Sequence, residues 1–300
     1  MDWIDSEWEV ISPMFLHGYD NRSGVELRAP PIKSIMRYWW RALHGHLEIR
    51  ELYTEEAAIF GSADDEVGKS SFQLRILPHK NISTGDYKLV THKKKSISKG
   101  IKPGVQFKIR IQTHKNVNAL RKYFLLLYLS LTLGGLGQRV RRGAGALKFL
   151  NLLKSSIKIE FNFERDIIEI LNDIIEEQTD LNYLLNNTSN RIELRDERAG
   201  SKFPYIISIM IGREFNSWRE LREKIDSLCH DLKENNKNNY NSMGFAYGRK
   251  KLASPLYISM IREHEKYYPI MTKLNPEFPR NFTPPKNINL VPEEFINNLS

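Results

Sequence analysis

A single cysteine, Cys229, stands in the 300 residues. That excludes an internal disulfide framework and fits a reducing compartment. It also leaves no cysteine pair for a zinc site, and the eight histidines show no paired metal spacing. His44 and His46 are two apart on an expected helix, so they point in different directions. No Walker A loop, dinucleotide G-x-G-x-x-G, G-x-S-x-G elbow or HExxH is present. No metal or cofactor is therefore expected. Long apolar runs are missing too. The longest, Tyr123 to Leu133, is interrupted by Ser130 and Thr132, and a bilayer span needs roughly 20 residues. The first ten residues carry Asp2, Asp5, Glu7 and Glu9 and do not read as a secretory signal. The chain is expected to be soluble, cytoplasmic and without a membrane partner.

The most informative absence is of acid. Between Asp86 and Glu160 there is no aspartate or glutamate, while residues 87–159 hold 17 lysines and arginines. That excess alone exceeds the net +9 of the whole chain, so the remainder is net acidic. A basic block of this length reads as a surface for a polyanion, above all nucleic acid. The alternative is that these cations face water and the acidic remainder neutralises them in the fold.

Hydrophobic residues make up 41% of the chain, enough for the cores of two domains. Glu9 to Leu16 reads as a first strand, ending in a turn-rich stretch through Gly24. Ala29-Pro30-Pro31 opens a helix. Ile32, Ile35, Met36, Trp39, Leu43 and Leu47 give that helix one apolar face. A short acidic helix, Thr54 to Ile59, and a strand, Ser71 to Ile76, follow. Residues 91–104 carry Lys93, Lys94 and Lys95 with Gly100, Pro103 and Gly104, and read as a loop. Val105 to Gln112 alternates as a strand, and Val117 to Leu133 is apolar nearly all round, a buried helix. Further strands are expected within Leu147 to Phe163. Residues 1–160 thus run β-α-β-β-α-β, the order of a ferredoxin-like (RRM-like) domain.

Residues 161–300 echo that order more loosely. Arg165 to Leu185 reads as an acidic helix, Pro204 to Ile211 as a strand and Ser217 to Lys233 as a helix. An asparagine-rich tract, Asn235 to Asn241, is expected to be mobile. A second glycine-basic loop, Gly244 to Lys251, carries Arg249, Lys250 and Lys251, and strands Pro255 to Arg262 and Tyr267 to Leu274 follow. After Pro276 comes a Pro- and Asn-rich tail ending in a short acidic helix. The fold class is α+β, with antiparallel sheets in two tandem domains and the boundary in 160–190.

Two constellations carry the chemistry. On the first long helix the apolar stripe leaves Lys33, Arg37, Trp40, Arg41 and His44 together on the opposite side, at spacings of three and four. Guanidinium forks suit phosphates and an indole suits a base. The other reading is that Trp40 widens the buried stripe and the arginines pair with Glu48, Glu51 or Glu55. The second constellation is Gly134 to Gly145, where glycines permit positive φ and an anion-binding nest of N–H groups beside Arg139, Arg141, Arg142 and Gly143. The other reading is a tight structural turn with solvated arginines. The stretch Arg142 to Phe149 resembles the RRM sheet signature, but its base-stacking positions are Ala144 and Ala146. Signals for catalysis are poor. A metal-free RNA-cleaving site needs a general base and a general acid, for which His17, Tyr19 and His44 are the candidates.

Three stretches are similar to a known family: Leu27-Arg28-Ala29-Pro30-Pro31-Ile32-Lys33 running into Arg37-Tyr38-Trp39-Trp40-Arg41-Ala42-Leu43, Glu56 with Phe60-Gly61-Ser62, and Arg139-Val140-Arg141-Arg142-Gly143-Ala144-Gly145. Together with Gly248 to Leu256 they resemble the RAMP superfamily of CRISPR proteins, and within it the first RAMP subunits of the Cmr (type III-B) effector complex. Ser34 and Ala146 depart from the family pattern, which often has glycine and serine there. The resemblance implies two ferredoxin-like domains and no catalysis in this subunit. It further implies a place in a ribonucleoprotein of antiviral defence, beside other RAMP subunits, holding the guide RNA 3′ region and helping engage target RNA. The alternative within the superfamily is a metal-independent endoribonuclease that processes guide RNA precursors.

Overall fold

The computed structural model describes residues 1–18, 24–63, 68–77, 82–91, 96–115, 117–195, 203–235, 243–247, 250–276 and 290–300. The chain opens with β1 (Asp2–Val10), then α1 (Ala29–His44), α2 (Ile49–Phe60), β2 (Phe72–Ile76), β3 (Thr84–Lys88), β4 (Ile97–Ile101), β5 (Gln106–Thr113), α3 (Val117–Gly134) and β6 (Leu147–Ser155). β2, β5, β1 and β6 form one antiparallel sheet in the order β2-β5-β1-β6. This is the ferredoxin-like arrangement, with the β3–β4 hairpin inserted.

The period-2 pattern of β1 sets the two faces. Ile4, Ser6, Trp8 and Val10 turn to the helices, opposite Phe107, Ile109 and Ile111 of β5, and Trp8 packs 5.9 Å from Tyr128 of α3. On the other face Asp5 holds Arg110 at 2.7 Å, Glu7 lies 3.8 Å from Lys108, and Arg110 stacks over Trp3. An RRM presents stacking aromatics on this face. Here an ion-pair ladder occupies it.

The second half contains α4 (Ile167–Gln178), β7 (Tyr183–Asn186), β8 (Arg191–Leu194), β9 (Ile206–Ile211), α5 (Trp218–Asn235), β10 (Phe245–Tyr247), β11 (Lys250–Leu252), β12 (Leu256–Glu263), β13 (Lys266–Leu274) and α6 (Leu290–Leu299). Its sheet runs β12-β13-β9-β8-β7. β13 lies between β9 and β12 as β5 lies between β1 and β2, and β8 stands where β6 stands in the first sheet. The two sheets are antiparallel and the fold is the α+β, tandem ferredoxin-like class. The halves share a core: Trp39 packs 5.1 Å from Tyr257, whose hydroxyl donates to the Gly134 carbonyl at 3.0 Å. No helix among the described residues is long and apolar enough to cross a membrane.

Several elements differ from the sequence expectation. The first strand is Asp2–Val10, not Glu9 to Leu16, because Asp5 and Glu7 alternate with Ile4, Ser6 and Trp8 and pair with Arg110 and Lys108 a hundred residues on. The expected loop 91–104 contains β4, held by β3 and by reciprocal hydrogen bonds between Met14 and Ile101. Of the strands expected in 147–163 only β6 forms. Beyond it, Phe161 and Phe163 pack by side chain, Phe163 at 5.0 Å from Phe149. The acidic helix stops at Gln178, and β7 and β8 follow. The glycine-basic stretch 244–251 includes the small β10–β11 hairpin.

Candidate nucleic-acid interface

α1 forms where expected, and Ile32, Met36, Trp39 and Leu43 are buried. Trp40 is buried with them, 3% exposed, against Phe60 and under the His44 ring at 4.2 Å. It is therefore core and not a base platform, because α2 covers that flank. His44 donates Nδ1–H to the Trp40 carbonyl at 2.8 Å, and its burial pulls its pKa below the usual value against that hydrogen bond. The stripe is wider than the sequence reading allowed.

The arginines of α1 remain partly exposed but are not free. Arg41 forks onto Glu56, with Nη2 to Oε1 at 2.7 Å and Nε on Oε2. Arg37 lies 3.1 Å from the same carboxylate and donates to the Phe60 and Gly61 carbonyls at 3.3 and 2.9 Å, capping α2. The pairing acid is thus Glu56, not Glu48, Glu51 or Glu55. One carboxylate serves two guanidiniums, so a unit of positive charge is left over. Lys33 sits 5.7 Å over the Phe72 ring and has no carboxylate partner among the described residues. Desolvation, then Arg37, lowers its pKa.

Much of the glycine loop turns its amides inward rather than toward an anion. The amides of Leu136, Gln138, Arg142, Gly143, Ala144, Gly145 and Ala146 all donate to protein oxygens. The positive φ of Gly143 and Gly145 serves packing instead. Gly143 donates to the Ile258 carbonyl at 2.9 Å, and a Cβ there would meet Met260 and Ile225. Gly143 therefore joins the two halves.

The three arginines of the loop have separate fates. Arg139 meets Asp226 of α5 at 3.3 Å. Arg141 lies against the Tyr38 and Tyr257 rings at 5.2 and 4.9 Å, donates to the Tyr38 hydroxyl at 3.0 Å and reaches the Ser254 carbonyl. Among the described residues the Arg142 side chain reaches only the Arg141 carbonyl, at 3.2 Å. Neither Arg141 nor Arg142 has a carboxylate partner among the described residues. Lys93, Lys94, Lys95 and Arg249 lie outside the described residues. Lys250 and Lys251 are placed in β11 by backbone alone.

What the structure brings together is a trough along α1. A cleft of about 330 Å³ runs between α1 and the glycine loop and is lined by Ser34, Tyr38, Gly137, Arg141 and Tyr257. Through Ser34 it meets a second, of about 660 Å³, lined by Lys33, Arg37, Lys69 and Gln73. Through Arg37 that one meets a third, of about 930 Å³, which holds Arg41 and Arg50. Lys69 and Arg50 were missed by the sequence reading, since neither lies in the acid-free block.

Asp226 and Arg222 were missed as well. Both are 2% exposed. Asp226 accepts from the Thr91 amide and hydroxyl at 2.8 and 3.0 Å as well as from Arg139, and Arg222 donates to the Lys88 and Leu89 carbonyls. α5 thereby anchors the hairpin that leads into the lysine run. The available signal was an Arg–Asp pair at a spacing of four on the apolar side of that helix. His17 bonds Ser98 at 3.2 Å and does not line the cleft beside α3 that holds His44. Tyr19 lies outside the described residues.

Comparison with known proteins places this geometry. The RAMP superfamily matches over residues 7–148. The Cmr system subunit Cmr1-1 of Pyrococcus furiosus is 24% identical over 87% of this chain and 84% of its own length. Subunit Cmr1-2 of the same organism is 31% identical over 47% of this chain and 91% of its own length. Among solved structures, apo Cmr1 from Pyrococcus furiosus matches 99% of this chain and 97% of its own, at TM-score 0.62 and 21% identity. A chain of type III-B Cmr-beta bound to cognate target RNA and AMPPnP matches in full, at TM-score 0.63 and 14% identity. At these identities the structural likeness speaks for the fold.

Proposed function

Because the chain belongs to the RAMP superfamily of CRISPR proteins, within the family of Cmr1 subunits, we propose that it is an RNA-binding subunit of a type III-B Cmr ribonucleoprotein that holds RNA without cutting it. In this reading it sits beside other RAMP subunits, supports the guide RNA 3′ region and helps engage target RNA for antiviral defence. The observation that carries the proposal is the trough along α1. Three clefts joined through Ser34 and Arg37 make a path for an extended strand, and the cations along it outnumber the one described carboxylate, Glu56. Phosphates bind such a path with little regard to sequence. The absence of cutting is part of the proposal. A cleaving pair must share one cleft, whereas His17 is bonded to Ser98 and His44 is packed on Trp40.

Lys33 and Lys69 carry the cleanest test, because both line the second cleft, neither has a carboxylate partner among the described residues and neither bridges the halves as Arg141 does. Replacing both with alanine in the full chain should weaken single-stranded RNA binding. It should also flatten the slope of log affinity against log salt by about 0.7 for each phosphate no longer neutralised. A slope equal to that of the unaltered protein would count against the trough. Release of cut product from guide or target RNA by the purified chain in chelator would overturn the non-catalytic reading.

A further inference from the structure

The widest of the three clefts holds an aromatic side chain that the charge pattern did not single out. α2 turns Arg50, Tyr53, Thr54 and Ala57 toward it at spacings of three and four, and Arg37 and Arg41 enter from α1. Tyr53 is 53% exposed, unusual for a ring that size. It stands edge-on to Phe203, with centroids 6.0 Å apart and planes at 89°. That contact steadies the ring and still leaves half the residue open. Arg50 is exposed and has no carboxylate partner among the described residues. Glu56 is the one described carboxylate lining the cleft, and two guanidiniums already engage it. Asp64, Asp65 and Glu66, which follow Ala63 in the chain, lie outside the described residues.

We propose that Tyr53 is the stacking platform for one unpaired base of a single-stranded RNA, with Arg50 and Arg41 on the flanking phosphates. The inference rests on the RNA-binding reading and narrows it to a base-occupied subsite at the α2 end of the trough. An aromatic face takes any of the four bases, and neighbouring guanidiniums take the backbone on either side. A protein partner suits the position less well, because three guanidiniums share the cleft with the ring against one described carboxylate, an excess of positive charge that a phosphate backbone neutralises along its length. The cleft also continues the trough through Arg37, as a threaded strand requires.

The test compares two ligands of equal length on the full chain, oligoadenylate RNA and an abasic ribose-phosphate strand, across a salt series. Tyr53→Ala should weaken oligoadenylate roughly 5- to 100-fold. It should leave the abasic strand and the salt slope as they were, since no charge is removed. Tyr53→Phe should restore binding. Arg50→Ala should lower the slope on both ligands. Equal weakening on both ligands, or no weakening of oligoadenylate by Tyr53→Ala, would overturn the platform. If the Tyr53 result fails while the Lys33 and Lys69 replacement still flattens the slope, the RNA-binding reading stands without this subsite. An unaltered chain that binds neither ligand ends both.

Discussion

Replacing Asp226 with alanine should destabilise the fold by about 3–5 kcal/mol, the range for breaking a buried ionic network from one side. The carboxylate accepts from the Thr91 amide, the Thr91 hydroxyl and Arg139, and its charge offsets that of Arg222 one turn earlier. Arg222 is as buried as its partner, and burial already pulls its pKa down. Without the carboxylate that guanidinium keeps two backbone carbonyls and faces Arg139 with nothing between them. Asp226→Asn should fall between, since the amide keeps the shape and loses the charge. Denaturant unfolding at neutral pH measures both. A loss under about 1 kcal/mol for the alanine variant would show that the hairpin is not anchored here.

Gly145→Ala should cost about 2–6 kcal/mol, combining left-handed backbone strain with overpacking. Its φ is 65°, and a Cβ would run into the Leu136 carbonyl oxygen, backbone that cannot swing aside. That same pair is bonded the other way, Leu136 donating to the Gly145 carbonyl at 2.9 Å, while Gly145 donates to Pro13 at 3.0 Å. Gly143→Ala is the control. Its φ is 71°, but the atoms met are the side-chain ends of Met260 and Ile225, which can shift. It should lose clearly less. Equal losses at the two positions, read from unfolding midpoints at unchanged slope, would mean that φ alone sets the cost and that the Leu136 clash adds nothing.

The contrast between those two glycines shows what could be read from the chain in advance. That the loop needs positive φ was legible, because glycine at such spacing has few other uses. That its amides face Pro13, Phe15 and Ile258 was not, since those partners come from distant segments. α1 was read in place from its period, though it ends at His44, short of Leu47, and Trp40 was placed on the wrong side, because the width of a buried stripe depends on whether a second helix covers its flank. β1 was displaced for a related reason. Its acids mark a strand only once Lys108 and Arg110 stand opposite. β4 escaped because Ser98 and Gly100 have little strand preference of their own, and pairing with β3 supplies what propensity lacks. At the site, the cations were legible and their internal partners were not. An arginine's share in binding depends on which carboxylate the fold sets beside it.

That last point has a thermodynamic consequence through Glu56. A strand arriving at Arg37 and Arg41 finds guanidiniums whose mobile ions folding has already displaced, so it gains little entropy from releasing them. Those two side chains then act as fixed walls that set direction and register. Sensitivity to ionic strength passes to Lys33, Lys69 and Arg50, which still carry a diffuse atmosphere of anions in the unbound molecule.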